Sequence, residues 1–131
     1  VGGNLSLIAS TIGTPHEINT KGKILFLEEI GEEPYRIDRM FTQLQLAGKL
    51  ADATGFVCGQ WTDCEPKQYT DGFTVTDLLK KFIAPYNKPA IYNVQAGHGT
   101  PTLTLPLGVA VTVDATQKKL IVEESVVAHV H

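Results

Sequence analysis

The chain predicts an α/β fold: a compact mixed sheet with a parallel core and an antiparallel hairpin, accompanied by two main helices. Two apolar runs of strand length, Ile24 to Leu27 and Phe56 to Gly59, flank a stretch whose apolar residues recur at helical spacing. That order, with short links, predicts a right-handed crossover onto a parallel pair. Near the end, two alternating runs separated by a polar turn predict the hairpin.

From the start, Gly2-Gly3-Asn4 is a tight or flexible entry, and residues 4–9 alternate enough to predict a short strand closed by Gly13 and Pro15. The polar stretch from His16 to Gly22 predicts a loop, in which His16 is a solvated residue. The run Ile24 to Leu27 then delivers Glu28 and Glu29 to a strand end, just before Gly31 permits a turn. Pro34 suits the first turn of a helix, Glu32 and Glu33 lie at its positive end, and Ile37, Met40, Phe41, Leu44 and Ala47 form its apolar stripe. Two readings of Glu28 and Glu29 stand at this point: carboxylates placed for chemistry, or solvated turn residues.

Gly48 and Asp52 to Gly55 break the pattern before the strand Phe56 to Gly59. The polar stretch Gln60 to Gly72 is the longest irregular segment, and long loops beside strand ends often belong to sites; Trp61 within it reads equally as a lid over the core. Thr74 and Asp77 have capping-box spacing ahead of a stripe of Val75, Leu78, Leu79, Phe82 and Ile83, with Lys80 and Lys81 near the helix end. Ala90 to Val94 predicts a third strand.

Beyond it, glycines flank one histidine in Gly97-His98-Gly99. They leave the ring uncrowded and allow unusual backbone geometry, so His98 reads either as a positioned acid or base or as part of a merely tight loop. The hairpin follows: Val109 to Val113, a turn through Lys119, and Leu120 to Glu124, extending or covering the parallel strands. Val126 to His131 continues apolar, with His129 and His131 decorating a strand rather than binding metal.

Composition narrows the function. A chain of 131 residues suits a single domain, 1–131, with a core large enough to fold without staples. The net charge of -3 offers no footprint for nucleic acid and no basic segment for a membrane surface. No apolar run approaches the roughly 18–20 residues of a membrane span, and no leader pattern is visible. Cys58 and Cys64 are too few for a disulfide framework and lack metal-ligand spacing, so the expectation is reduced thiols in a cytoplasmic protein, with one disulfide as the alternative. The opening Val1-Gly2-Gly3-Asn4 leads us to expect a piece of a longer protein.

Four motifs in order carry a resemblance across essentially the whole chain: Gly2-Gly3-Asn4-Leu5; Leu27-Glu28-Glu29-Ile30-Gly31-Glu32 with Pro34-Tyr35-Arg36-Ile37-Asp38-Arg39; Gly97-His98-Gly99; and Leu105-Pro106-Leu107-Gly108. Together they resemble the C-terminal domain of the LD-carboxypeptidase family of serine peptidases, which includes muramoyltetrapeptide carboxypeptidases and microcin-immunity peptidases. The resemblance implies a swivelling β/β/α fold and a Ser, His, Glu group split between two domains, with Glu28 and His98 here and the serine in an absent N-terminal domain. It implies removal of terminal D-alanine from murein tetrapeptides in cytosolic cell-wall recycling by a protein that is a homodimer at full length, with no metal or organic cofactor. A non-catalytic binding or assembly domain of the same ancestry, or a microcin-immunity-type peptidase, are the alternatives. Ser6, Ser10 and Ser125 fall in no nucleophile context, so the isolated chain is expected to be inactive. Glu29 is the second candidate for orienting His98, since adjacent strand positions point to opposite faces.

Overall fold

The computed structural model describes residues 1–127; the final histidines, His129 and His131, lie outside the described residues. Its centre is a four-stranded parallel sheet in sequence order: β1 (Gly2–Asn4), β2 (Ile24–Ile30), β3 (Gly55–Thr62) and β4 (Ala90–Ile91). The helices are α1 (Leu5–Thr11), α2 (Pro34–Leu46), the single turn α3 (Lys49–Asp52) and α4 (Val75–Phe82). An antiparallel pair, β5 (Val111–Asp114) and β6 (Lys119–Val122), forms a sheet of its own.

Strand alternation divides the parallel sheet into two faces. Leu25 and Leu27 of β2 join Phe56 and Cys58 of β3 in one buried cluster with Leu5 and Ile8 of α1, Ile37, Phe41 and Leu44 of α2, and Leu78 and Phe82 of α4. Phe41 anchors it, stacking on Phe82 at 5.3 Å and meeting Trp61 at 6.0 Å. Trp61 therefore packs on the core margin, as a lid would. On the other face, Ile24, Phe26 and Val57 line a groove with Leu105 to Val109 and with Val111, Leu120 and Val122 of the hairpin. Hairpin, sheet and helices stack as β/β/α, so the hairpin covers the parallel strands and does not extend them.

Local chemistry explains the helices. Pro34 opens α2, where its missing N–H costs nothing. At α4 the Thr74 hydroxyl accepts from the Asp77 backbone N–H while the Asp77 carboxylate accepts from the Thr74 N–H, a complete capping box.

Several elements differ from expectation. Residues 4–9 are not a strand: β1 ends at Asn4, whose side chain accepts from Leu7 N–H and caps α1. Leu5, Ile8 and Ala9 fit a buried helical face as well as an alternating strand, and a seven-residue window cannot separate the two periods once an N-cap is overlooked. The breaker segment after Gly48 holds α3, β3 runs on to Thr62, and β4 is confined to Ala90–Ile91.

Candidate active site

Strand β2 carries Glu28 and Glu29 into its C-terminal end, where its register against β3 shifts between Leu27 and Glu29. The two carboxylates diverge because successive strand residues face opposite sides. Glu29 follows Leu25 and Leu27 toward the helices and is 1% exposed. It accepts from Asn4 Nδ2 at 2.7 Å, Ser6 N–H at 2.8 Å, the Ser6 hydroxyl at 2.6 Å and Ile30 N–H at 2.9 Å. Glu29 is thus fully occupied in tying the start of α1 to the end of β2.

Glu28 turns to the other face, where the chain beyond β4 keeps company with β3. Val94 N–H donates to the Cys58 carbonyl at 3.1 Å, and Gln60 N–H donates to the Ala96 carbonyl at 2.9 Å. This extension brings Gly97-His98-Gly99 over the end of β2. His98 Nδ1 lies 2.8 Å from Glu28 Oε2. Gly97 has φ of +138°, a conformation that side chains other than hydrogen resist, and a Cβ there would sit 3.0 Å from Glu28 Oε2. The Thr102 hydroxyl closes the turn by accepting from Gly97 N–H and donating to the Gly97 carbonyl.

The pair is asymmetric in its access to solvent. The Glu28 side chain is 6% exposed and that of His98 50%. A carboxylate can only accept, so Nδ1 carries the hydrogen and Nε2 of the neutral ring is left as an acceptor. Among the described residues Nε2 has no hydrogen-bond partner, and no Lys or Arg forms an ion pair with Glu28.

The serines of the chain are engaged elsewhere. Ser6 bonds Glu29, while the hydroxyls of Ser10 and Ser125 donate to the Leu7 and Val127 carbonyls. Cys58 and Cys64 are buried free thiols, and burial pushes them up to about 12 and about 11. His16 is exposed in the loop after α1. Among the described residues, no group of three or more His, Cys, Asp or Glu is placed to hold a metal ion. Glu32 pairs loosely with Arg36, whereas Glu33 accepts from the Lys67 and Gln68 N–H groups and so anchors the long loop.

Sequence reasoning missed Gln60, whose side-chain amide bonds the His98 turn. One signal was available: Gly59 inside a strand marks a close backbone approach, here that of the Ala96 carbonyl.

A parallel α/β domain presenting a buried carboxylate bound to a half-exposed imidazole at one sheet edge is the class of object this geometry defines. Residues 1–113 match the family model described as the LD-carboxypeptidase C-terminal domain, and the chain belongs to that family. It is 40% identical over 126 residues to the probable murein peptide carboxypeptidase of Bacillus subtilis, covering 96% of this chain and 40% of that protein. Identity to the murein tetrapeptide carboxypeptidase of Pseudomonas aeruginosa is 32% over 110 residues, covering 82% of this chain and 35% of the relative. The crystal structure of muramoyltetrapeptide carboxypeptidase from Oxalobacter formigenes superposes with a TM-score of 0.79 at 31% identity, over 91% of this chain and 42% of that one. The chain therefore spans about two fifths of the length of these relatives.

Proposed function

We propose that this chain is the C-terminal half of a serine-type LD-carboxypeptidase, supplying Glu28 and His98 to a serine held by an N-terminal domain. The observation that carries the reading is the 2.8 Å contact between His98 Nδ1 and a buried Glu28, on a half-exposed ring whose Nε2 has no partner among the described residues. The names of the relatives, murein peptide and murein tetrapeptide carboxypeptidase, support a murein tetrapeptide as substrate.

A serine hydroxyl is a weak nucleophile until a base takes its proton. His98 Nε2 accepts that proton as the serine oxygen attacks the carbonyl carbon between the L-centre and the terminal D-alanine. Glu28 holds the ring in the tautomer that leaves Nε2 basic and stabilises the imidazolium that results. The ring returns the proton to the departing D-alanine nitrogen as the C–N bond breaks. Water, deprotonated by His98 Nε2, then attacks the acyl-serine ester; as that C–O bond breaks the ring returns the proton to the serine oxygen, and the shortened peptide is released. The full-length protein works as a homodimer in cytoplasmic cell-wall recycling.

Release of D-alanine from a murein tetrapeptide, followed by amino-acid analysis, tests this. The full-length protein releases it, His98→Ala loses roughly 10³-fold or more in kcat, and the 131-residue chain alone releases none. Turnover by the isolated chain that survives replacement of each of its serines, yet is lost with His98, would show that the division of labour is wrong.

A further inference from the structure

We propose that Gln60 is a positioning residue for His98, its amide spanning the Gly97-His98-Gly99 turn so that the ring stays aligned with Glu28. The inference rests on the catalytic reading of that pair.

Gln60 stands on β3 directly beneath the turn. Its Oε1 accepts from Gly99 N–H at 3.0 Å and its Nε2 donates to the Pro101 carbonyl at 3.2 Å. Its backbone N–H reaches the Ala96 carbonyl at 2.9 Å. The loop is thereby held on both sides of His98, at residues 96, 99 and 101.

The glycines make this clamp possible. A Cβ on Gly99 would lie 2.3 Å from Gln60 Nε2, so a side chain at position 99 would push the amide out of its place. At Gly97 a Cβ would lie 3.4 Å from Gln60 Cβ as well as 3.0 Å from Glu28 Oε2. Gln60, Gly97, Gly99 and Glu28 therefore form one packed unit around the base of the histidine.

The amide is the group the site needs, because it donates to a carbonyl and accepts from an N–H at once. A glutamate would accept from Gly99 but face the Pro101 carbonyl without a donor, and would add a second negative charge beside Glu28. No hydrogen bond joins Gln60 to the imidazole itself among the described residues, so its influence travels through the turn. The Nδ1 contact is directional, and a displacement of about 1 Å at a reacting group costs up to roughly 10²-fold in rate.

The test uses the full-length protein with Gln60→Ala, the nearly isosteric Gln60→Met, Gly99→Ala and the double variant Gln60→Ala with Gly99→Ala. Turnover of a murein tetrapeptide, melting temperature and the proton NMR signal of the His98 Nδ1–H are measured on each, the signal being assigned by its loss in His98→Ala. Gln60→Met should keep the melting temperature, lower kcat roughly 10- to 100-fold with little change in KM, and weaken or shift the Nδ1–H signal. Gly99→Ala should do the same by displacing the amide, and should cost nothing further once Gln60 is alanine. A folded Gln60→Met with unchanged kcat and an unchanged Nδ1–H signal overturns the proposal, as does a kcat loss in all variants that tracks melting temperature while the signal stays put. Full turnover by His98→Ala would instead refute the catalytic reading, and the Nδ1–H signal would still decide whether Gln60 sets the ring.

Discussion

His98 Nδ1 and Glu28 Oε2 lie 2.8 Å apart although 70 residues separate them in the chain. The parallel sheet creates this meeting, because the C-terminal ends of β2 and β3 and the segment beyond β4 gather along one edge, where sites of open α/β sheets form. Glu29, one residue on, faces the helices and never approaches the ring.

Glu29 should therefore matter for folding. Replacing it with alanine leaves Asn4 Nδ2 and the Ser6 N–H without their acceptor in a site that is 1% exposed. Urea denaturation of Glu29→Ala should show a loss of about 2–4 kcal/mol, the range for stranded buried partners of a charged group.

The parallel pairing of β2 with β3, α2, α4 with its capping box, and the hairpin were legible, because each rests on a local signal of period, cap or turn. Glu28 and His98 were legible only as candidates; their contact depends on Val94 and Ala96 continuing along β3 past the end of β4, a pairing that leaves no local pattern. Helix α1 was hidden because Asn4, read as a strand residue, is its cap. Gln60 looked like the first residue of a polar loop: Gly59 beside it signals a close backbone approach, but no local pattern points to Gly99 and Pro101 as the partners.

Gly97 is constrained twice, by its φ of +138° and by Glu28 Oε2 at 3.0 Å from a Cβ position. Gly97→Ala should displace the carboxylate from the ring and lower kcat roughly 10²-fold in the full-length protein. Steady-state kinetics on a murein tetrapeptide check this; an unimpaired Gly97→Ala contradicts the geometry of the turn.

The two cysteines should be inert. Burial raises the Cys58 thiol to about 12 and the Cys64 thiol to about 11, so the reactive thiolate is scarce at neutral pH. Mass spectrometry after exposure to iodoacetamide should find neither alkylated in the native protein and both alkylated in denaturant.

Thr74→Ala should cost about 1 kcal/mol by removing the cap of α4. Hydrogen bonds from Thr74 also hold the Asp77 carboxyl below its ordinary 3.8. A lowered carboxyl contributes stability that is present above its unfolded value and lost as pH falls through the folded one. Melting temperatures followed downward from about pH 5 should therefore fall less steeply in Thr74→Ala than in the parent.

Glu28→Gln compared with Glu29→Gln, by kcat on a murein tetrapeptide in the full-length protein, tests the central claim most directly. An amide at position 28 keeps the shape but cannot stabilise an imidazolium, so Glu28→Gln should remain folded and lose roughly 10²- to 10⁴-fold in kcat. Glu29→Gln should lower stability while keeping kcat within roughly tenfold of the parent. Two equally mild losses of kcat, or a greater loss from Glu29→Gln, would contradict the assignment of Glu28 as the carboxylate that orients His98.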